Sequence, residues 1–307
     1  MEFMDPVSRQ YSKPKGSLII IGGHEDKEDE CVILKEVVRR ATEGREGGEG
    51  GEGGKGEERK NGKQAKQGKQ LVITAVASNM PEEVIPEYKR LFKALGVDDI
   101  GVLEVRTPED AHNEESARMV REAAVLFFTG GDQLRITSQV GVSPLYEAMC
   151  EMYIEGGTIV GTSAGAAAMS ETMLISGASD ESNKIQTLDM GAGLGLLREI
   201  VIDSHFAERG RIGRLLGAVS QNPRSLGVGI DEDTAIIVEQ AQSFRVIGSG
   251  GVYVVEGRFI SYSSLSEERP EGTLSMFDVQ LHVLGEGDCF SLTQRQPIVP
   301  DGAGQEV

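Results

Sequence analysis

Cysteine, histidine, positive charge and long apolar runs are all scarce in this chain of 307 residues, and each shortage removes a class of function. The three cysteines, Cys31, Cys150 and Cys289, are odd in number and widely spaced, with no C-x-x-C pair. That excludes a disulfide framework and a thiolate zinc site, and it fits a reducing compartment. Basic residues number 31 against 49 acidic, a formal charge of -18, so most of the surface repels a phosphate backbone and nucleic acid is not an expected partner. No eighteen apolar residues run together, and the first apolar stretch, 18–21, is too short for a signal-peptide core. A cytoplasmic protein without a membrane segment is expected. The turn Gly22-Gly23-His24-Glu25-Asp26 lacks the third glycine of G-x-G-x-x-G and sets acids where a pyrophosphate would lie, which argues against a dinucleotide site.

An apolar content of 39% suffices for one large core. Apolar β-runs at 17–21, 71–77, 100–105, 125–128 and 158–161 alternate with amphipathic stretches at about 27–41, from Pro81, 114–123 and 144–155. This rhythm predicts an α/β fold, a mostly parallel sheet flanked by helices in three layers. Beyond about residue 190 come a run at 200–203, a helix from about Arg211 and the short β-runs SLGVGI, AIIVE, FRVIG and VYVVE, expected to extend one end of the same sheet. One segment breaks the composition: residues 44–70 hold ten glycines, seven Lys or Arg and five Glu, with Ala65 the single aliphatic residue. Too little there can be buried to fold, so it reads as a surface insert within a single domain spanning 17–296, with loose tails at 1–16 and 297–307.

Gly161-Thr162-Ser163-Ala164-Gly165 is a G-x-S-x-G sequence between an apolar β-run and a small-residue helix. A serine on such a strand-to-helix turn exposes its hydroxyl beside backbone N–H groups and the positive end of a helix, as a nucleophile requires. Only four histidines are available as its base. His205, ending the strand in Asp203-Ser204-His205, falls on the carboxyl edge of the sheet where Ser163 must lie, whereas His24, His112 and His282 have no evident catalytic company. Glu232, after a glycine-bounded strand and flanked by Asp231 and Asp233, is favoured as the acid that orients the imidazole; Glu181 is the alternative. Gly130-Gly131-Asp132-Gln133 ends the neighbouring strand, so N–H groups of Gly131, Asp132 and Ala164 are candidate oxyanion donors, and Gln133 offers an amide to the site. Arg209, Arg211 and Arg214 follow the histidine, with the last two on one helical face suited to gripping carboxylates.

Taken in order, GGDQ, GTSAGA, DSHF followed by R-x-R-x-x-R, and GVGIDEDTA resemble peptidase family S51, and its cyanophycinase branch more than its aspartyl dipeptidases. The resemblance runs from about residue 16 to 256. It implies a fold like that of class I glutamine amidotransferases and a dimeric serine hydrolase needing no metal or cofactor. It also implies Ser163 as nucleophile, His205 as base and Glu232 as orienting acid, with Gln133, Asp203, Ser204, Arg209, Arg211 and Arg214 lining the substrate pocket. The implied substrate is cyanophycin, a polyaspartate whose β-carboxyls carry arginine, trimmed to β-Asp-Arg dipeptides. Acids such as Asp203 or Asp132 are expected to meet its guanidinium, and the arginines its carboxylate. The sequence departs from the family pattern in the 44–70 insert and in Ser204, where these enzymes often carry Gln. A non-catalytic polymer-binding relative is the reading from another class.

Overall fold

Five fully or partly buried apolar segments build the parallel half of the main sheet: β1 (Ser17–Ile21), β2 (Leu71–Thr74), β3 (Ile100–Leu103), β4 (Val125–Phe128) and β5 (Thr158–Thr162), side by side in the order β1-β5-β4-β2-β3. They belong to a computed structural model that describes residues 13–43, 71–176, 188–266 and 273–299. Strand residues alternate between the faces, so Leu18 and Ile20 enter one apolar cluster and Ile19 and Ile21 another. The second cluster lies under α1 (Val32–Glu43) and α2 (Pro81–Ala94), through Leu34, Val37 and Phe92. The first lies under α3 (Glu114–Glu122), α4 (Gln133–Val140), α5 (Pro144–Ile154) and the short α6 (Ala164–Ala167). Helix starts follow local chemistry. Asn113 accepts the amides of Glu115 and Ser116 at 2.9 and 3.1 Å to open α3, Asp132 accepts that of Leu134 at 2.9 Å to open α4, and Ser143 with Pro144 opens α5. Helix α4 is not among the expected elements, although Asp132 followed by apolar residues at 134, 136 and 140 is a cap-and-stripe signal.

After a hairpin of β6 (Thr172–Ser176) and β7 (Asp189–Ala192), the chain forms β8 (Ile200–Ser204), α7 (Ile212–Gln221), β9 (Leu226–Ile230), β10 (Thr234–Glu239), β11 (Ser243–Gly248) and β12 (Val252–Glu256). The small pair β13 (Tyr262–Ser263) and β14 (Met276–Phe277) precedes β15 (Gln280–Leu284), β16 (Cys289–Ser291) and β17 (Gln296–Ile298). These strands do not all extend one sheet, contrary to expectation. β10, β11, β16 and β17 add antiparallel to the free side of β1, whereas β8, β9, β12 and β15 form a separate four-stranded sheet covered by α7. A buried apolar strand specifies which faces it covers, not which neighbour it pairs with, so periodicity could not separate the two sheets. The sheets meet at the turn Asp231-Glu232-Asp233, where the chain leaves β9 for β10.

The ordered domain also runs past both expected limits. β17 pairs with β16 through residue 298, and the amides of Lys15 and Gly16 donate to the carbonyls of Ile154 and Tyr153. The 44–70 insert lies outside the described residues, between α1 and β2, and so do 1–12, Glu181 and 300–307. Among the described residues no helix is long and apolar enough to cross a membrane.

Candidate active site

Ser163 stands between β5 and α6 with φ 55° and ψ -109°, a left-handed conformation that non-glycine residues avoid and that G-x-S-x-G turns impose. The small neighbours are needed for packing. A Cβ on Gly165 would stand 2.8 Å from the carbonyl oxygen of Phe128, and one on Gly161 would stand 2.4 Å from that of Gly165. The amide of Ser163 donates to the Ile21 carbonyl at 3.0 Å, and that of His205 donates to Gly22 at 2.8 Å, so the end of β1 spaces the two residues. The hydroxyl of Ser163 and Nε2 of His205 are 2.8 Å apart, and Nδ1 of His205 lies 2.7 Å from Oε1 of Glu232. With Nδ1–H donating to Glu232, Nε2 presents its lone pair to the serine. The imidazole packs against Gly23, where a Cβ would stand 2.3 Å from the ring and φ is positive, so this position admits only glycine.

Glu232 is chosen over its neighbours because both are occupied. Asp231 accepts from the amides of Ala207 and Gly251, and Asp233 from that of Asp26 and the hydroxyl of Ser249. Its second oxygen, Oε2, lies 2.8 Å from Nδ1 of His24, whose ring sits edge-on to His205 at 5.1 Å between centroids. His24, set aside in the sequence, is therefore part of the site, and one carboxylate serves two imidazoles. The loop presenting it is fixed by Asp26, whose carboxylate accepts the amides of Glu28, Asp29 and Cys31 and is thereby held down to about 2. Among the described residues His24, His205 and Glu232 also have ligand-type atoms within 4.8 Å of one another; the hydrogen bonds between them already account for that closeness.

Burial pushes the His205 pKa down, against the Glu232 hydrogen bond that raises it, and the net value lies below 6.5. Burial would raise the Glu232 carboxyl, but the two histidine hydrogen bonds outweigh it and hold it below its ordinary value. An imidazole with a lowered pKa stays neutral, and so able to accept a proton, at lower pH. The acid limb of a kcat/KM profile is thus expected below pH 6.5, and a limb at or above 7 would contradict the arrangement.

Several expected substrate contacts point elsewhere. The amide of Asp132 donates to the Ala77 carbonyl at 2.9 Å and is not open to an oxyanion, whereas the amides of Gly131 and Ala164 have no partner among the described residues. Gln133 does not offer its amide to the site: Nε2 donates to the carbonyls of Leu174 and Ile175 at 2.7 and 3.2 Å, tying α4 to β6. Asp203 is 1% exposed, gripped by Arg214 through Nε at 2.6 Å and through Nη2, with Nη1 of Arg211 at 3.2 Å. A doubly buried strand leaves a carboxylate no water, so it must take a cation from its own chain, and it cannot also receive a substrate guanidinium. Arg211 further donates to the carbonyl of Ser204, itself buried, and is pulled down to about 10, burial being the main cause. Of the three arginines, Arg209 is the one left exposed, near His205. Asp203→Ala, two residues before His205, would strand Arg214 as an unpaired buried charge. Urea denaturation is expected to register a loss of roughly 3–5 kcal/mol, and a change under about 1 would mean that the pair carries no weight.

Comparison with known proteins places the chain in a family and matches its fold. The family model for peptidase family S51 matches residues 61–246. The cyanophycinase of Synechococcus elongatus is 34% identical over 297 residues, covering 95% of this chain and 85% of its own. That of Geminocystis herdmanii is 36% identical over 229 residues, or 74% and 84%. In fold, the crystal structure of a peptidase from an acI-B1 Actinobacterium superposes with a TM-score of 0.63 at 20% identity, covering 92% of this chain and 98% of its own. On the match to the family model and the curated relatives, the chain belongs to peptidase family S51 and is a serine-type peptidase.

Proposed function

We propose that this peptidase hydrolyses cyanophycin from a chain end, releasing β-Asp-Arg dipeptides through an acyl-enzyme on Ser163. The observation that carries the reading is the continuous series from Ser163 Oγ through His205 to Glu232, in a chain whose curated relatives are named cyanophycinase. Ser163 Oγ attacks the backbone aspartyl carbonyl while His205 Nε2 takes its proton. The oxyanion rests on the unpartnered amides of Gly131 and Ala164, at the start of α6. His205 then gives the proton to the leaving amine, and water deacylates the serine with the same histidine as base. Glu232 holds the imidazole tautomer throughout and stabilises its cationic form. With Asp203, Arg211 and Arg214 paired among themselves, exposed Arg209 is the cation to meet a substrate carboxylate beside the base. The reading carries with it a cytoplasmic homodimer, and light scattering on the purified protein checks the two-copy state.

The test incubates purified protein with insoluble cyanophycin and, separately, with an α-Asp-X dipeptide, following clearing and mass-identified products. Release of β-Asp-Arg is the expected result. Cleavage of the dipeptide alone would make the protein an aspartyl dipeptidase, and cleavage of neither would leave a polymer-binding relative.

A further inference from the structure

A second feature of the same sheet edge is not used by the chemistry above: a groove of about 850 Å³ beside the carboxyl ends of β2 and β3, walled by α2 and reached by α4. In a chain of net charge -18, its lining holds five cations, Lys89, Arg90, Lys93, Arg106 and Arg135, against two carboxylates, Glu82 and Glu104. Among the described residues, only Arg106 and Glu82 face one another as an ion pair there, at 4.0 Å. The floor is apolar, with Val76, Ile85 and Val105 among its residues. The side-chain oxygen of Gln139, on the same lining, is buried without a hydrogen-bond partner among the described residues. β3 pairs with β2 alone and ends the nine-stranded sheet.

The groove is joined to the serine by one loop. Residues 129–132 lie against Ser163 on one side, where a Cβ on Gly130 would be 3.4 Å from that of the serine. On the other side the amide of Asp132 donates to Ala77, and Arg135 donates to the carbonyl of Ser78 at 3.2 Å, the latter two being groove residues. In the strand order β5-β4-β2-β3 the groove begins two strands from Ser163 and ends three away, roughly 10 to 14 Å along the edge. An extended peptide covers that distance in about three to four residues.

We propose that this groove is an exosite for the substrate polymer, holding units three to four residues from the scissile bond; the inference rests on the cyanophycin reading. Each unit ends in an arginine whose carboxylate suits the cations and whose guanidinium suits Glu82, Glu104 and the unpartnered Gln139 oxygen, while the aliphatic arm suits the apolar floor. A short substrate filling only the site at Ser163 never reaches it. The groove therefore sets a preference for long chains.

The test is a charge reversal, Lys89→Glu with Lys93→Glu, on the solvent side of α2. Two readouts are taken: the ratio of kcat/KM on the polymer to that on a short substrate of two β-Asp-Arg units, and, in the Ser163→Ala background, pelleting with insoluble cyanophycin. The ratio is expected to fall about tenfold through KM, pelleting to fall in parallel, and a Lys89→Gln, Lys93→Gln protein to lie between. An unchanged ratio with unchanged pelleting overturns the exosite while leaving the function intact. Equal losses on both substrates also overturn it, since the groove would then act on the site itself. Unaltered protein that neither cleaves nor pellets with the polymer removes the function and the exosite together.

Discussion

Ser163→Ala is expected to lower kcat on cyanophycin by about a millionfold, the scale on which loss of the serine alone disables a serine protease. The geometry explains why nothing replaces it. The hydroxyl is 2.8 Å from the base, and its backbone is pinned in a left-handed turn by the bond to Ile21 and by the packing of Gly161 and Gly165. A residual acceleration over water remains from the oxyanion amides and from binding, because those groups are backbone and stay in place. The side chain makes no capping hydrogen bond, so the alanine protein is expected to melt within a few degrees of the unaltered one. Product release followed by mass spectrometry, with a thermal melt on the same sample, reads both quantities. A Ser163→Ala protein retaining 1% of the activity would mean that the attacking group is elsewhere.

The three residues of this series were legible because each carries a local signal. Ser163 lies in a glycine-bounded turn, His205 ends an apolar strand, and Glu232 follows another. What the sequence hid depends on pairing between distant segments. His24 reaches Glu232 only because β10 lies antiparallel against β1, which brings the turn after β9 over the loop after β1. No spacing along the chain encodes that approach. Arg211 and Arg214 were misread for a different reason. Composition shows three cations beside a histidine but not which are consumed by the fold, and the deciding clue was Asp203 itself. An acid ending the otherwise apolar and wholly buried run IVID must be buried with it, and Arg214, in the first turn of the following helix, is the cation that answers it. The second sheet was illegible from periodicity because Gly227 and Gly229 of β9 mark close packing against α7 and Phe206, a contact that only the assembled fold reveals.

Glu232→Ala is the other substitution with a large expected cost, about ten-thousandfold in kcat, as for removal of the orienting acid from a serine triad. The loss has two parts: the imidazolium formed during attack loses its counter-charge, and the Nδ1–H loses the acceptor that fixes the tautomer. His24 makes the two separable. Its ring is 71% exposed, whereas that of His205 is 5% exposed, so an amide in place of the carboxylate faces two imidazoles of unequal need. Buried Nδ1–H of His205 requires an acceptor and is expected to take the single amide oxygen of Glu232→Gln, leaving the NH2 to His24, whose tautomer changes at little cost in water. The glutamine enzyme then keeps its tautomer and loses only the charge, and it is expected to be about a hundredfold more active than the alanine enzyme. Removing the carboxylate also removes the influence that raises the His205 pKa, so the acid limb of its kcat/KM profile moves further down. Equal damage by Gln and Ala, with no shift of that limb, would show that Glu232 does not share its oxygens between the two rings.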